Sequence, residues 1–252
     1  MNPAEKETMQ LVTDFHHDGF VIARGLFSPG EVAEIERQLQ HYMDAFLSEL
    51  EPGEVYYEDS ESRPIKALHR MHERSAYFRD LVSDDRLQHI VSALLAAEPI
   101  LLSVMFFAKH ADHGSATPPH QDNVFQCWSP PDALAATIAI DASTVENGAL
   151  TIQQGSQQLG LLPHRPSGVK GFSQALCEPL DTVAYPEVAL CMEPGDVALH
   201  HVLAIHRSDP NTSGRSRRQL GIGYSSSHSR RDEAALARYK TDLGKLNASI
   251  EA

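Results

Sequence analysis

The stretch Pro118-Pro119-His120-Gln121-Asp122 lies inside a region of short β-type runs that begins at Ile100 and ends near residue 225. Amphipathic helical patterns come before this region, and one further helical pattern follows it. Strong turn signals, 146–148 (Glu-Asn-Gly) and 193–196 (Glu-Pro-Gly-Asp), separate neighbouring runs. Many short strands with such turns between them are typical of a sandwich or barrel.

The predicted β-type runs cover residues 100–108, 119–128, 134–141, 149–153, 188–193, 197–205 and 218–225. Helical spacing predicts helices over 5–17, from Ser28 to about Leu50, from Asp84 or Asp85 to before Pro99, and over 230–247, with a short strand over 20–23 and a polar loop over 51–63. We expect one domain, 1–252, with a helical N-terminal part (about 1–99), a β core (about 100–226) and a C-terminal helix (about 230–247).

Composition excludes several classes of protein. The 252 residues carry a net charge of −13, which has the wrong sign for a nucleic-acid binder or for a protein of anionic membrane surfaces. No stretch approaches 18 uninterrupted apolar residues, so no transmembrane segment is predicted. Three widely spaced cysteines and an N-terminus without a signal-peptide pattern favour the cytoplasm. Nothing in the composition indicates an oligomeric state.

Three His-x-Asp pairs occur in the chain, at 16/18, 110/112 and 120/122. With fourteen His and sixteen Asp, about one such pair is expected by chance. The first ends an amphipathic helix, where capping or solvation is the ordinary role, and the second lies in a polar loop. His120 and Asp122 enter a predicted strand, in which residues i and i+2 share a face. Both side chains are therefore predicted to reach one metal ion.

A third metal ligand must come from a distant part of the sequence. The candidates are His200, His201 and His206. The adjacent pair 200/201 is expected to face opposite sides of one strand, so only one of the two can point inward. His206 is favoured, with His201 as the fallback, because Ser208, Asn211 and Arg217 follow it in sequence.

Two imidazoles and one carboxylate on one face of an iron leave three coordination positions open, as in non-heme Fe(II) oxygenases. A nearby arginine can bind a carboxylate co-substrate through two parallel hydrogen bonds. The pattern therefore predicts the metal and the kind of co-substrate, but it does not identify the substrate.

At these residues the chain resembles the phytanoyl-CoA dioxygenase family of Fe(II)- and 2-oxoglutarate-dependent oxygenases. The resemblance extends from Phe20 to about Tyr224, and its densest matches are 120–122, 146–150, 155–156, 160–164, 194–196 and His206-x-Ser208-x-x-Asn211 with Arg217.

The resemblance implies a mainly β fold with flanking helices, built on a double-stranded β-helix (jelly-roll, cupin-like) core. It implies His120, Asp122 and His206 as iron ligands, and Arg217 with Ser208 as the binding site of 2-oxoglutarate. Gln121 and Lys66 match family positions near the cofactor and the site mouth, and Thr137 stands where relatives often carry an aromatic residue. The implied reaction uses O2 to hydroxylate a small-molecule substrate, with release of succinate and CO2.

Some alternatives stay open at this point. A cupin-like metalloenzyme that does not use 2-oxoglutarate and a catalytically silent ligand-binding protein share the same core. Desaturation, ring closure and epimerisation need the same ligands as hydroxylation. The basic segment 63–74, which contains Lys66, could bind an anion or form a solvated face. Phe125 and Trp128 are candidates for the pocket wall or for the buried core.

Overall fold

The structure is a computed structural model that describes residues 3–58, 62, 64–111, 114–169 and 172–250. Its helices are α1 Pro3–Asp18, α2 Pro29–Phe46, α3 Met71–Arg74, α4 Ala76–Leu81, α5 Asp85–Leu95, α6 Asn123–Gln126 and α7 Glu233–Ile250. Its strands are β1 Phe20–Ala23, β2 Val55–Tyr57, β3 Ile65–Leu68, β4 Pro99–Lys109, β5 Thr117–His120, β6 Trp128–Ser129, β7 Ala133–Ala139, β8 Leu150–Gln153, β9 His164–Val169, β10 Phe172–Leu176, β11 Glu187–Ala189, β12 Val197–His201, β13 His206–Ser208, β14 Arg217–Ser226 and β15 Arg230–Arg231. Among the described residues, no helix is long and apolar enough to cross a bilayer.

Two antiparallel sheets form the centre of the fold. The larger has the strand order β1-β12-β7-β14-β4-β3-β2, and the smaller has the order β11-β8-β13-β5. Neighbours in the larger sheet are mostly distant in sequence, as a jelly roll requires. The predicted mainly β fold with flanking helices is therefore confirmed as a double-stranded β-helix.

Strand alternation divides the larger sheet into two faces with different roles. On β7, Leu134, Ala136 and Ile138 are buried and pack with helical residues in the main apolar cluster. Ala139 belongs to a second, smaller cluster together with Ile152 of the other sheet. The helices thus cover one face of the larger sheet, and the opposite face looks into the gap between the sheets, where the polar site lies.

Most predicted elements match the structure, and four need correction. The run 188–193 is a strand only as far as Ala189. The run 119–128 is not one strand, because β5 ends at His120 and the chain turns into α6. The predicted loop 51–63 contains β2, which pairs with β3 at the edge of the larger sheet. The run 197–205 stops as a strand at His201 and continues as a turn into β13.

The start of α2 shows how local sequence fixes an element. Ser28 and Glu31 form the predicted capping box: the Ser28 hydroxyl accepts from the Glu31 N–H, and the Glu31 carboxylate accepts from the Ser28 N–H at 2.7 Å. Arg86 of α5 also donates to Glu31, at 2.6 Å. Hydrogen bonds from Arg86 and then Ser28 lower the pKa of Glu31 to about 2.

Glu31→Gln is expected to lower the free energy of unfolding by about 1 kcal/mol at pH 7, the usual scale of a helix cap, since an exposed ion pair adds little. A depressed carboxyl pKa stabilises the fold above the unfolded value of about 4.5, and that contribution is lost as pH falls toward 2. Urea denaturation of wild type and Glu31→Gln between pH 7 and pH 3 measures the difference in the free energy of unfolding. Glu7→Gln, which removes an exposed carboxylate of α1, is the control and should change less. A difference that stays constant down to pH 3 would contradict the assignment.

Candidate metal and co-substrate site

Three side chains converge at one end of the gap between the sheets. His120 ends β5, His206 begins β13, and the two residues face each other in the β5–β13 register. Asp122 lies between them: its Oδ1 is 3.6 Å from Nε2 of His120 and 3.7 Å from Nε2 of His206. One donor atom from each of the three lies within 4.8 Å of the other two, which is a spacing that can hold a metal ion.

The structure corrects the reason for expecting His120 and Asp122 on one face. Asp122 is not a strand residue, because it stands at the start of α6 with φ −59° and ψ −31°. Its carboxylate reaches His120 through the turn from strand into helix and not through strand alternation. The pairing was predicted, but its geometric cause was wrong.

Backbone carbonyls fix which nitrogen of each histidine faces Asp122. Nδ1 of His120 donates to the Pro118 carbonyl at 2.8 Å, and Nδ1 of His206 donates to the Ala204 carbonyl at 2.9 Å. With the proton on Nδ1, the lone pair lies on Nε2, which points toward the centre of the site. Metal-binding histidines are usually oriented by such partners.

The protonation states also suit a cation. Burial alone would raise the pKa of Asp122, but the imidazoles of His206, His120 and His200 around it hold that pKa well below its usual range. Burial, helped by His120, lowers the pKa of His206 to about 3. At neutral pH the site therefore presents an ionised carboxylate and a neutral His206 imidazole, the forms that bind a divalent metal.

A second cluster of polar atoms fits an anion. Arg217 is 5% exposed, and burial lowers its pKa to about 10, so it keeps its charge at neutral pH. Its Nη1 donates to Oε1 of Gln219, while its Nε, Oγ of Ser208 and Nε2 of Gln219 are buried without a hydrogen-bond partner among the described residues. Native structures rarely leave buried donors unsatisfied. These donors fit the distal carboxylate of 2-oxoglutarate.

Lys109 was not predicted from sequence as part of this cluster. It pairs with Arg217 across β4 and β14, and its Nζ donates to the carbonyls of Ser115 and Asp209, both at 2.6 Å. Burial and the neighbouring Arg217 lower the pKa of Lys109 to about 7. A lysine at the end of the apolar run 100–108 is the sequence signal, whereas its register with Arg217 is visible only in the structure.

The side chain of Gln121 binds backbone. Its Nε2 donates to the carbonyls of Gly160 and Leu203 at 2.8 and 2.7 Å, and its Oε1 accepts from the N–H of Leu162 at 2.8 Å. The residue between the two candidate ligands His120 and Asp122 therefore connects that pair to two other segments near the site.

The family resemblance predicts Thr137 and Lys66 as residues near the cofactor and the site mouth, and these roles stay predictions. Thr137 is half-buried in β7, between Ala198 of β12 and Gly221 of β14. Lys66 donates to Oγ of Ser115 at 2.6 Å, close to the carbonyl that holds Lys109.

The basic segment is mostly paired with buried carboxylates, and Lys66 itself lies 3.8 Å from the carboxylate of Glu58. Guanidinium nitrogens of Arg70 and Arg74 lie 3.2 and 3.0 Å from carboxylate oxygens of Glu54. Arg63 falls outside the described residues. Lys66 is connected through Ser115 to Lys109, the cross-strand neighbour of Arg217.

The adjacent histidines face opposite ways, as expected. His201 lies against Phe15 of α1, with ring centroids 6.0 Å apart, and its Nδ1 accepts from the Leu203 N–H. His200 turns the other way, and its Nε2 lies 3.3 Å from Oδ2 of Asp122. The structure therefore brings His206 to the triad and keeps the fallback ligand His201 away from it.

The other two His-x-Asp pairs do not form comparable groups. Asp18 accepts from Gln154 at 2.8 Å, and His110 donates to the Ile65 carbonyl at 2.8 Å. Asp112 lies outside the described residues. In the part of the chain that the structure describes, the group of His, Cys, Asp and Glu side chains suited to a metal is the triad at 120, 122 and 206.

Aromatic side chains lie beside the triad. The Phe125 ring meets His120 edge-on at 5.6 Å, and Tyr239 of α7 stacks edge-on against Phe125 at 5.8 Å. The guanidinium carbon of Arg231 lies 4.5 Å from the centroid of the Trp128 ring, and Nε1 of Trp128 donates to Oε1 of Gln126. Phe125, and not Trp128, is therefore the aromatic residue in contact with the candidate ligands.

Fold and site together define a class: a non-heme iron oxygenase that takes 2-oxoglutarate as its co-substrate. Within that class, the family described as phytanoyl-CoA dioxygenase (PhyH) matches residues 15–219, and the chain belongs to this family.

Individual relatives agree with that placement. A probable alpha-ketoglutarate-dependent hypophosphite dioxygenase of Stutzerimonas stutzeri is 30% identical over 215 residues, which cover 82% of this chain and 74% of the relative. A phytanoyl-CoA dioxygenase of Arabidopsis thaliana is 28% identical over 158 residues, 62% of this chain and 55% of that longer protein. The epimerase SnoN from nogalamycin biosynthesis, solved with Fe3+ and alpha-ketoglutarate, shares the fold with a TM-score of 0.71 and 22% identity, covering 90% of this chain and 86% of its own.

Proposed function

We propose that this chain holds Fe(II) through His120, Asp122 and His206, binds 2-oxoglutarate through Arg217 and Ser208, and hydroxylates a small-molecule metabolite. The observation that carries the proposal is the pairing of two complementary groups in one gap between sheets. One is a set of metal donors that includes an ionised carboxylate, and the other is a buried guanidinium that lacks a carboxylate partner among the described residues.

The protein's own residues bind and orient. Arg217 and Ser208 supply donors for a carboxylate, and the backbone carbonyls of Pro118 and Ala204 keep the two imidazoles in the tautomer that binds metal. Bound iron and 2-oxoglutarate supply the oxidising chemistry, in which O2 is consumed, succinate and CO2 are released and one oxygen atom reaches the substrate. The aromatic pair of Phe125 and Tyr239 provides an apolar wall next to His120.

We infer a small polar or anionic substrate in preference to an acyl-CoA ester. A net charge of −13 disfavours a polyanion such as coenzyme A. The relative from Stutzerimonas stutzeri is named for hypophosphite, a small oxyanion, which supports the same choice. Lys66 pairs with Glu58 at 3.8 Å and donates to Ser115, which also binds Lys109, and we propose that it contacts such a ligand or the co-substrate as well.

Lys66→Ala is expected to raise the apparent KM for the anionic ligand about tenfold, the effect of losing one charged hydrogen bond, with iron content unchanged. Steady-state kinetics with 2-oxoglutarate as the varied anion measures it. Arg70→Ala is the matched control from the same segment, because Arg70 is half-exposed and pairs with Glu54. Equal KM values for wild type and Lys66→Ala would remove Lys66 from anion binding.

Adding Fe(II) and then 2-oxoglutarate to the apoprotein without oxygen tests the function. The expected result is a visible metal-to-ligand charge-transfer band, followed by succinate production once oxygen is admitted. Bound metal without a band would point instead to a cupin-like metalloenzyme that does not use 2-oxoglutarate. Succinate no higher than in a no-enzyme control would point to a catalytically silent protein.

A further inference from the structure

His200 is a fourth imidazole at the metal site, and the proposed ligand set does not use it. It lies on β12, in register with Phe20 of β1 and Ala135 of β7, and is 4% exposed. Its ring centroid is 4.6 Å from that of His206. It belongs to the wall of the site, whereas its sequence neighbour His201 lies in the helix-covered layer against Phe15.

The two oxygens of Asp122 have different neighbours. Oδ1 faces Nε2 of both candidate ligand histidines, at 3.6 and 3.7 Å. Oδ2 faces Nε2 of His200, at 3.3 Å. The carboxylate is thus placed with one oxygen toward the metal donors and the other toward a different imidazole.

The state of the His200 ring follows from these contacts. A carboxylate oxygen only accepts, so the favourable neutral tautomer has its hydrogen on Nε2, and Nε2 donates to Oδ2. The other ring nitrogen, Nδ1, is then a bare acceptor, and it is buried without a hydrogen-bond partner among the described residues. A phenyl ring of similar size would fill the same space without an unsatisfied nitrogen. The hydrogen-bond donor at Nε2 is therefore the property that distinguishes an imidazole from a phenyl ring at this position.

We propose that His200 is a positioning residue that binds Oδ2 of Asp122 and restricts that carboxylate to coordination through Oδ1. Two histidines and a monodentate carboxylate leave three coordination positions open. Two-point binding of 2-oxoglutarate would fill two of these and leave one for O2. A carboxylate that coordinated through both oxygens would occupy the last position. This inference rests on the proposed function, in which Asp122 is an iron ligand.

Nitric oxide, a stand-in for O2 that needs no turnover, tests the inference. The apoproteins of wild type, His200→Phe, His200→Gln and His201→Phe are loaded without oxygen with Fe(II) and 2-oxoglutarate, and the charge-transfer band is recorded. Nitric oxide is then titrated, and the iron–nitrosyl signal is followed by electron paramagnetic resonance. Gln offers an N–H donor near the position of Nε2, Phe offers the ring without a donor, and His201→Phe is the matched control on the same strand.

We expect His200→Phe to bind iron and to form a charge-transfer band, but to need about tenfold more nitric oxide for half-saturation, in line with the usual cost of losing a partner of a metal ligand. For His200→Gln the nitric oxide concentration at half-saturation should lie within about threefold of the wild-type value. For His201→Phe it should equal the wild-type value. Nitric oxide binding by His200→Phe that equals the wild-type binding would overturn the inference. Equal impairment of His200→Phe and His200→Gln would also overturn it, because the side-chain shape and not the hydrogen-bond donor would then be what matters. Complete loss of iron from His200→Phe would make His200 a ligand and overturn the positioning role.

Failure of the proposed function would be visible separately. In that case wild type itself would form no charge-transfer band, and the inference would fall with it. A wild-type band together with wild-type behaviour of His200→Phe would overturn the inference alone.

Discussion

Arg217→Met is expected to weaken 2-oxoglutarate binding at least a hundredfold, with Fe(II) binding retained. The guanidinium is buried and has no carboxylate partner among the described residues, so a bound dicarboxylate would supply its counter-charge. Removing one member of a buried charge pair costs about 3–5 kcal/mol, and each 1.4 kcal/mol is a factor of ten in affinity. Anaerobic titration of the charge-transfer band with 2-oxoglutarate measures the change directly.

Arg218→Met is the matched control for this prediction. Arg218 is the next residue on β14, but it faces outward and donates to Asp141 at 2.7 Å and to Glu36 at 2.6 Å. Its loss should lower the melting temperature and leave the affinity for 2-oxoglutarate unchanged. Arg217→Met should show the opposite pattern, since it removes an uncompensated buried charge from the apoprotein. Wild-type affinity for 2-oxoglutarate in Arg217→Met would exclude Arg217 from the co-substrate site.

His206→Ala is expected to weaken Fe(II) binding at least a hundredfold and to abolish the charge-transfer band. His206 supplies a neutral imidazole whose Nε2 faces Oδ1 of Asp122, so its removal leaves two donors from the protein. Loss of a single partner around a metal ligand already costs about 10–100-fold, and loss of the ligand itself should exceed that. Iron content after gel filtration and anaerobic Fe(II) titration give the two measurements.

His201→Ala is the control for His206→Ala, because it removes a buried histidine from the other face of the sheet. It should keep iron and the band even if it melts at a lower temperature, since the cavity it leaves lies against Phe15. Iron retained by His206→Ala at the wild-type level would contradict the ligand assignment. Iron lost from both variants equally would indicate a general folding defect.

Much of the fold could be predicted because local patterns agree with the final structure. The capping box of Ser28 and Glu31 starts α2 where the sequence placed it, and the apolar spacing of α5 is matched by its buried residues. The strands β9 and β10 were not predicted, because they pair mainly with each other and lack a strong apolar alternation. Strand β2 was assigned to a polar loop for the same reason, since its residues are only half-buried at the sheet edge.

The site was predicted in part. Sequence spacing and family resemblance indicated the triad and Arg217, and the structure brings the triad together. Strand alternation was the wrong reason for the position of Asp122, because a turn into a four-residue helix cannot be read from the period of side chains alone. The contacts of His200 and Lys109 depend on strands far apart in sequence, so their partners become visible only in the assembled sheets.

The three hydrogen bonds of the Gln121 amide have a consequence for how the protein acquires its metal. They connect the residue between two candidate ligands to the segment at 160–162 and to Leu203, three residues before His206. The donor set is therefore assembled by the fold itself, and little conformational entropy is left to be lost when a cation arrives. A zinc finger, by contrast, folds only around its ion. We therefore expect folding and metal loading to be separable in this protein, so that a chelator yields an intact, reloadable apoprotein and the metal supply decides what fraction of the molecules is active.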